Sequence, residues 1–275
     1  MPRRGPWSLL LLLLAAGLWA ARAHEPPADL ELNLRWILAR ERAVSGGARP
    51  RVGVYADAGA WHVGARSLVA ALEGAGVPCV VLERSRLTPA GMNGLEAVVV
   101  PGGWAPTQLE VFGPAGLDAL RDFVEAGGRY VGVCAGAYAA AREVRWDTPA
   151  GAGPATAYPL GLFGGVARGP LASIAPWPER APARLAWTAA ARARGIEAAD
   201  LEVLYFGGPR LVPDVPRQAA VLATYQDGGA AIVATRRGRG EVVLVAVHLE
   251  RPASGDDDAP PPAGAGDLLR ALVAP

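Results

Sequence analysis

The sharpest chemical feature of this sequence is the segment Tyr130-Val131-Gly132-Val133-Cys134-Ala135-Gly136-Ala137. An apolar strand runs into Gly-x-Cys-x-Gly, and small residues then open a helix. A nucleophile elbow needs this arrangement. The strand-to-helix turn is strained, and glycines two before and two after the nucleophile relieve the crowding while its side chain projects from the sheet edge. The helix start favours negative charge, which suits a thiolate. With 35 Gly among 275 residues and two Cys, chance places glycines on both sides of a cysteine in about 3% of such chains. The competing reading is a buried structural cysteine.

A thiolate nucleophile needs a base, and the chain offers three His. His24 lies near the amino terminus. His62 precedes a helical pattern and reads as an exposed loop residue, with a ligand-lining role as the alternative. His248 closes the apolar run Val242 to Val247, and Glu250 follows two residues later. In extended backbone, positions i and i+2 face the same side, so Glu250 can orient and polarise the imidazole. Opposite a cysteine elbow, the pair completes a candidate Cys134-His248-Glu250 triad. Val98-Val99-Val100-Pro101-Gly102-Gly103 is a strand ending in two glycines. Backbone amides at Gly102 and Gly103, with that of Ala135, are the candidate oxyanion donors, and a plain turn is the alternative. Cys79 begins a strand and Cys134 ends one, which places them at opposite edges of a parallel sheet and argues against a disulfide.

The elements that must carry these residues follow from composition and patterning. The chain is long enough for one large α/β domain or two small ones. Its 27 basic and 26 acidic residues nearly cancel, so no strong field recruits nucleic acid or an anionic membrane. Every basic residue is Arg, which excludes Schiff-base lysine, a Ser-Lys dyad and a phosphate-loop lysine. Two Cys exclude a disulfide scaffold and a four-thiolate zinc site. No cofactor is indicated, and nothing elsewhere completes a metal site around Asp256-Asp257-Asp258.

Apolar runs at Val52 to Ala56, Cys79 to Leu82, Ala97 to Val100 and Tyr130 to Val133 alternate with helical patterns at Ala65 to Glu73 and Leu117 to Glu125. That alternation predicts βαβ units and a largely parallel sheet covered on both faces. Residues 144 to 200 read as loops with a helix near 183 to 194. Strands resume at Glu202 to Phe206, Ala219 to Tyr225, Ala230 to Thr235 and Glu241 to Val247, the last two joined by an Arg-rich hairpin turn. Four segments result: 1–23, 24–50 with a helix from Asp29 to Val44 and a linker, a main domain over 51–252, and a mobile loop with a final helix over 253–275. In the first, Arg3 and Arg4 precede the apolar run that starts at Leu9, and Ala21-Arg22-Ala23 supplies a small-residue cleavage site. That pattern predicts a signal peptide and a secreted or periplasmic protein with no stable membrane insertion after cleavage.

These residues together resemble the class I glutamine amidotransferase superfamily. More narrowly, the chain resembles the amino-terminal domain of biotin-protein ligase and its stand-alone bacterial relatives. The narrower likeness rests on Val133 to Tyr138, Leu162-Phe163-Gly164-Gly165, Arg168-Gly169-Pro170, Tyr205-Phe206-Gly207-Gly208, Val221 to Tyr225 and Val247-His248-Leu249-Glu250. It implies a flavodoxin-like, mostly parallel sheet sandwiched by helices, with the elbow at the carboxyl ends of the strands. It also implies Cys134 as nucleophile, His248 as base, Glu250 as orienting carboxylate and the Gly103 and Ala135 amides as oxyanion donors. Leu249 departs from the proline usual there. No ligase domain is present, so the resemblance does not imply biotin transfer.

Two functions are compatible with these residues. One is an exported cysteine hydrolase that attacks a small amide- or peptide-like carbonyl through a Cys134 acyl-enzyme. The other is a binding module that holds an amide or carboxylate without turnover. The fold alone does not decide between them.

Overall fold

A computed structural model of the chain describes residues 27–43, 51–148, 151–196 and 201–274. The expected signal peptide, His24 and much of the linker before Arg51 lie outside the described residues. In chain order the first elements are α1 (Pro27–Ala43), β1 (Val52–Tyr55), α2 (His62–Gly74), β2 (Cys79–Leu82) and β3 (Ala97–Val100). They are followed by α3 (Ala105–Glu125), β4 (Arg129–Val133) and the short α4 (Ala135–Ala140). These strands are buried almost throughout, as expected where helices cover both faces. Their order is β2-β1-β3-β4, all parallel. The chain moves outward one way from β1 to β2 and the other way from β3 to β4. Right-handed crossovers therefore place α2 and α3 on opposite faces. Between β1 and β3 the winding reverses, and open α/β sheets bind ligands at such a switch point, beyond the carboxyl ends of the strands.

After α4 the chain leaves this sheet. β5 (Ala141–Trp146), β6 (Ala155–Ala157), β7 (Phe163–Gly169) and, later, β10 (Arg210–Pro213) form a separate four-stranded sheet in the order β10-β7-β5-β6. β8 (Ala181–Trp187), the single-turn α5 (Ala189–Arg192) and β9 (Leu201–Tyr205) come between them. β11 (Ala219–Thr224), β12 (Ala230–Arg237), β13 (Gly240–Val245) and α6 (Ala265–Val273) complete the chain. The main sheet runs β2-β1-β3-β4-β13-β12-β11-β8-β9. β13 adds parallel to β4, whereas β12 and β8 run against the rest, so the flavodoxin-like core is extended by an antiparallel half.

Two sequence expectations are corrected here. The described residues from 144 to 200 are loops interrupted by the end of β5 and by β6, β7 and β8, and the helix expected over 183–194 is a strand followed by one helical turn. Ala, Arg and Leu favour helix by propensity, but Ala181 to Trp187 alternate exposed and buried with period two. The strand pairs with both β9 and β11, and that pairing overrides propensity. The helix before β4 begins at Ala105 rather than near Leu117. It is broken at Gly113-Pro114, where Gly113 takes φ 59°, so its first half escaped the periodic pattern.

Candidate active site

The elbow is built as its glycines require. Cys134 sits at φ 49° and ψ −101°, the one non-glycine residue of positive φ among those described. That conformation costs on the order of 1–3 kcal/mol and persists where surrounding structure over-determines it. The surroundings are visible: the Cys134 amide donates to Val245 O at 2.8 Å, and the Tyr130 hydroxyl donates to Gly136 O at 2.9 Å. A Cβ on Gly132 would lie 2.4 Å from Gly136 O, and one on Gly136 would lie 2.1 Å from Val100 O. Neither position admits a side chain without moving backbone, so the turn closes this tightly because both are glycine.

His248 follows β13 and is fully buried. Its Nδ1 lies 2.8 Å from Glu250 Oε1, and Glu250 is buried too. The i, i+2 pairing is present, but not through extended backbone. His248 makes an isolated antiparallel bridge with Leu204, and Leu249 and Glu250 turn immediately after it. The turn is closed by the Arg251 amide donating to His248 O at 3.3 Å. Leu249, itself buried, is compatible with that turn. Burial alone pushes the imidazole pKa down, but the Glu250 carboxylate and the Cys134 sulfur outweigh it, and the pKa rises to about 10. His248 Nε2 is buried without a hydrogen-bond partner among the described residues. The Cys134 thiol donates instead to Phe206 O at 3.4 Å.

The glycine turn after β3 supports this pair from below. A Cβ on Gly102 would stand 2.5 Å from His248 Cε1, so the imidazole rests on the bare backbone there. Gly102 O accepts from the Trp61 amide and Gly59 O from the Trp104 amide, both at 2.8 Å. These bonds clamp the β1 and β3 turns together. Asn33 of α1 adds to the clamp, donating to Ala60 O at 3.0 Å and meeting His62 Nδ1 at 2.8 Å. His62 is therefore buried, not the exposed loop residue the sequence suggested, and burial lowers its pKa. A polar partner from a helix distant in sequence makes that burial tolerable. Cys79 is buried in the core with its thiol pushed up to about 12 by burial, and both cysteines are free.

Cys134, His248, Gly103 and Ala135 all border one cavity of about 690 Å³. Gly102 does not line it. Its walls come from α1, from the turns after β1, β3, β4, β9 and β13, from the small sheet and from the connection between β7 and β8. Ala135 opens α4, so its amide is among those without an intrahelical acceptor. The remainder of the wall was not anticipated: Trp61, Trp104, Trp146 and Trp177 line it with Phe206 and Arg180. Four of the eight Trp in the chain thus converge here. The available signal was the position of Trp61, Trp104 and Trp177 in Gly- and Pro-rich segments; Trp146 ends β5 and carried no such signal. Among the described residues, no group of His, Cys, Asp and Glu is arranged to hold a metal, and no helix is long and apolar enough to cross a membrane.

Comparison with known proteins agrees with this architecture. A solved glutamine amidotransferase superposes over 82% of this chain and 100% of its own, with a TM-score of 0.55 at 20% identity. PurLQS from Thermotoga maritima matches 82% of this chain and 98% of its own, with a TM-score of 0.54 at 15% identity. The fold is thus that of the glutamine amidotransferase-like class. Within it, the chain belongs to the biotin-protein ligase, N-terminal family, whose model matches residues 81–261. The pyridoxal 5'-phosphate synthase subunit PdxT of Deinococcus radiodurans is 44% identical over 62 residues. That stretch is 22% of this chain and 32% of the relative, so the chain spans about a third of that protein's length.

Proposed function

We propose that this protein is a thiol hydrolase acting on a small amide- or peptide-like bond through an acyl-enzyme. The observation that carries the reading is Cys134 itself. A strained, positive-φ cysteine faces a cavity beside a buried imidazole whose Nε2 has no hydrogen-bond partner among the described residues. A purely structural cysteine gives no reason to hold that strain. In the reaction, the Cys134 proton already rests on His248 Nε2, in keeping with the raised imidazole pKa, and the thiolate Sγ attacks the carbonyl carbon. The carbonyl oxygen gains negative charge facing the Gly103 and Ala135 amides. His248 then gives the proton to the departing amine as the C–N bond breaks, leaving a thioester on Cys134. Water attacks the thioester with His248 as base, releasing a carboxylic acid and restoring the thiol. Glu250 holds the imidazole at Nδ1 and stabilises its charge, as the third member of such triads does.

The test is the rate of Cys134 alkylation by iodoacetamide as a function of pH, in the wild type and in His248→Ala. Fast alkylation well below the ordinary thiol pKa of about 8.5, lost in the variant, supports the activated thiolate. Slow alkylation indifferent to His248 would sink the hydrolase and leave a ligand-binding module on the same fold. The reading includes export, supported by Arg3-Arg4, the Leu-rich run and Ala21-Arg22-Ala23. Its check is the amino-terminal residue of the protein recovered from its producing cells. A chain beginning at His24 supports cleavage, and an intact Met1 end contradicts it.

A further inference from the structure

The cavity wall is aromatic to a degree that general amide chemistry does not require. Ring centroids of Trp104 and Trp146 lie 5.5 Å apart, and those of Trp146 and Trp177 lie 5.6 Å apart. Trp177 stacks on Phe206 at 5.1 Å with an interplanar angle of 18°, and Phe206 meets Trp61 edge-on at 5.7 Å. Trp61 then meets the His248 ring at 5.0 Å. One continuous aromatic surface therefore leads from the small sheet to the imidazole. Trp104, Trp146, Trp177 and Phe206 are each only half-buried, so ring area remains open to the cavity. Apolar ring surface left in water is unfavourable, and a flat apolar ligand recovers that free energy while matching the ring geometry.

Charge enters at one end of the wall. The Arg180 guanidinium carbon lies 4.6 Å from the Phe206 ring centroid and 5.1 Å from that of Trp61. Its Nη1 donates to Gly255 O at 3.0 Å and to Asp257 Oδ1 at 2.8 Å. No protein acceptor engages Nε or Nη2 among the described residues, so a planar cation with unspent donors stands over the rings nearest His248. Asp29 is the other charged residue bordering the cavity besides the candidate triad, and its Oδ1 accepts from the His62 amide at 3.4 Å. The cavity volume of about 690 Å³ falls inside the range of roughly 300–1,000 Å³ typical of sites for drug-sized ligands. It is larger and more apolar than a small polar amino-acid amide would fill.

We propose that this cavity selects amides carrying both a bulky planar apolar group and an anionic group: the ring packs on Trp104, Trp146 and Trp177, and the anion is held by Arg180. The proposal rests on the thiol-hydrolase reading for what happens to the ligand, but not for its binding. Arg180 is a specificity residue here. Its fork matches a carboxylate, and the aromatic faces beneath it fix its plane.

The experiment is calorimetric titration of the full chain carrying Cys134→Ala, so that no turnover intervenes. Four probes are compared: N-acetyltryptophan, its neutral carboxamide, N-acetylalanine and L-glutamine. N-acetyltryptophan should bind at least about tenfold more tightly than each of the other three. Adding Arg180→Gln should abolish its advantage over the neutral carboxamide, weakening N-acetyltryptophan about tenfold more than it weakens the carboxamide. Trp177→Ala should weaken both tryptophan probes about tenfold, and Trp177→Phe should restore most of that loss. Comparable thermal transitions establish that each variant is folded. Glutamine or N-acetylalanine binding as tightly as N-acetyltryptophan overturns the proposal, as does a carboxylate preference that survives Arg180→Gln. The alkylation experiment is independent, so failure of the hydrolase reading and failure of this specificity are told apart.

Discussion

Cys134 and the His248–Glu250 pair put strain and charge where a fold built for stability alone would have neither. Replacing Cys134 by Gly removes the side chain that makes φ 49° costly, and should leave the protein about 1 kcal/mol more stable than Cys134→Ala. Urea denaturation of the two variants decides this, and equal stability would mean the elbow stores no strain. The imidazole makes a second prediction. Its folded pKa is raised from 6.5 to about 10, so the stability it contributes is complete below pH 6.5 and is lost as pH rises toward 10. With no Lys in the chain, few other side chains titrate in that window. Above pH 9 the buried Cys79 thiol adds a loss of its own, because its pKa is also raised. Between pH 6.5 and 9, stability should therefore fall in the wild type. Glu250→Gln should be about 3 kcal/mol less stable at pH 6.5, having broken a buried pair, and should show a flatter slope. Parallel slopes in the two proteins would contradict the assignment.

At the scale of elements, the site is a set of turns fastened to one another at the carboxyl ends of five strands. The β3 turn shows how tight the fit is. Gly102→Ala would drive a methyl to 2.5 Å from the His248 ring, and should cost about 1–3 kcal/mol by overpacking. Because the imidazole must tilt away, His248-dependent alkylation of Cys134 should fall more than stability does. Alkylation at the wild-type rate would show that the ring position is not set by that turn. These elements were unequally legible. The elbow was readable because glycines at fixed offsets from a nucleophile are a local, covalent pattern. The pairing of His248 with Glu250 was also visible as an i, i+2 spacing, although a turn rather than a strand delivers it. The strand over Ala181–Trp187 was missed because its residues favour helix in isolation, and only β9 and β11 beside it reveal its period. His62 was misplaced for a similar reason: the Asn33 that satisfies it lies 29 residues away on α1.

Across the whole molecule, Arg251 joins parts that no local pattern connects. It is fully buried, donating from Nη1 to Ser67 Oγ of α2 at 2.9 Å and to Ala259 O at 3.2 Å, and from Nη2 to Asp256 O. Its guanidinium also lies 6.0 Å from the Trp61 ring centroid. The segment after His248-Leu249-Glu250 is thereby tied to a helix early in the chain, and Arg180 ties its outer side through Gly255 and Asp257. Arg251→Gln should destabilise the protein by about 3 kcal/mol and open residues 252–262 to proteolysis. An unchanged melting temperature and cleavage pattern would show that this segment is held by other contacts.

By itself the sequence determined the α/β class, the cysteine elbow and the residues that flank it, and the chemistry excluded by the lack of Lys. Each of these depends on residue type and short spacing, which are complete in one dimension. The tertiary structure alone decided the antiparallel half of the sheet, the burial of His62 and the shape of the cavity. Trp61, Trp104, Trp146 and Trp177 are scattered over more than a hundred residues, three in connecting segments and Trp146 at the end of β5. They become one surface because the turns after β1 and β3, the end of β5 in the small sheet and the connection from β7 to β8 meet around one cavity. Position in space, and not spacing along the chain, gives that wall its meaning.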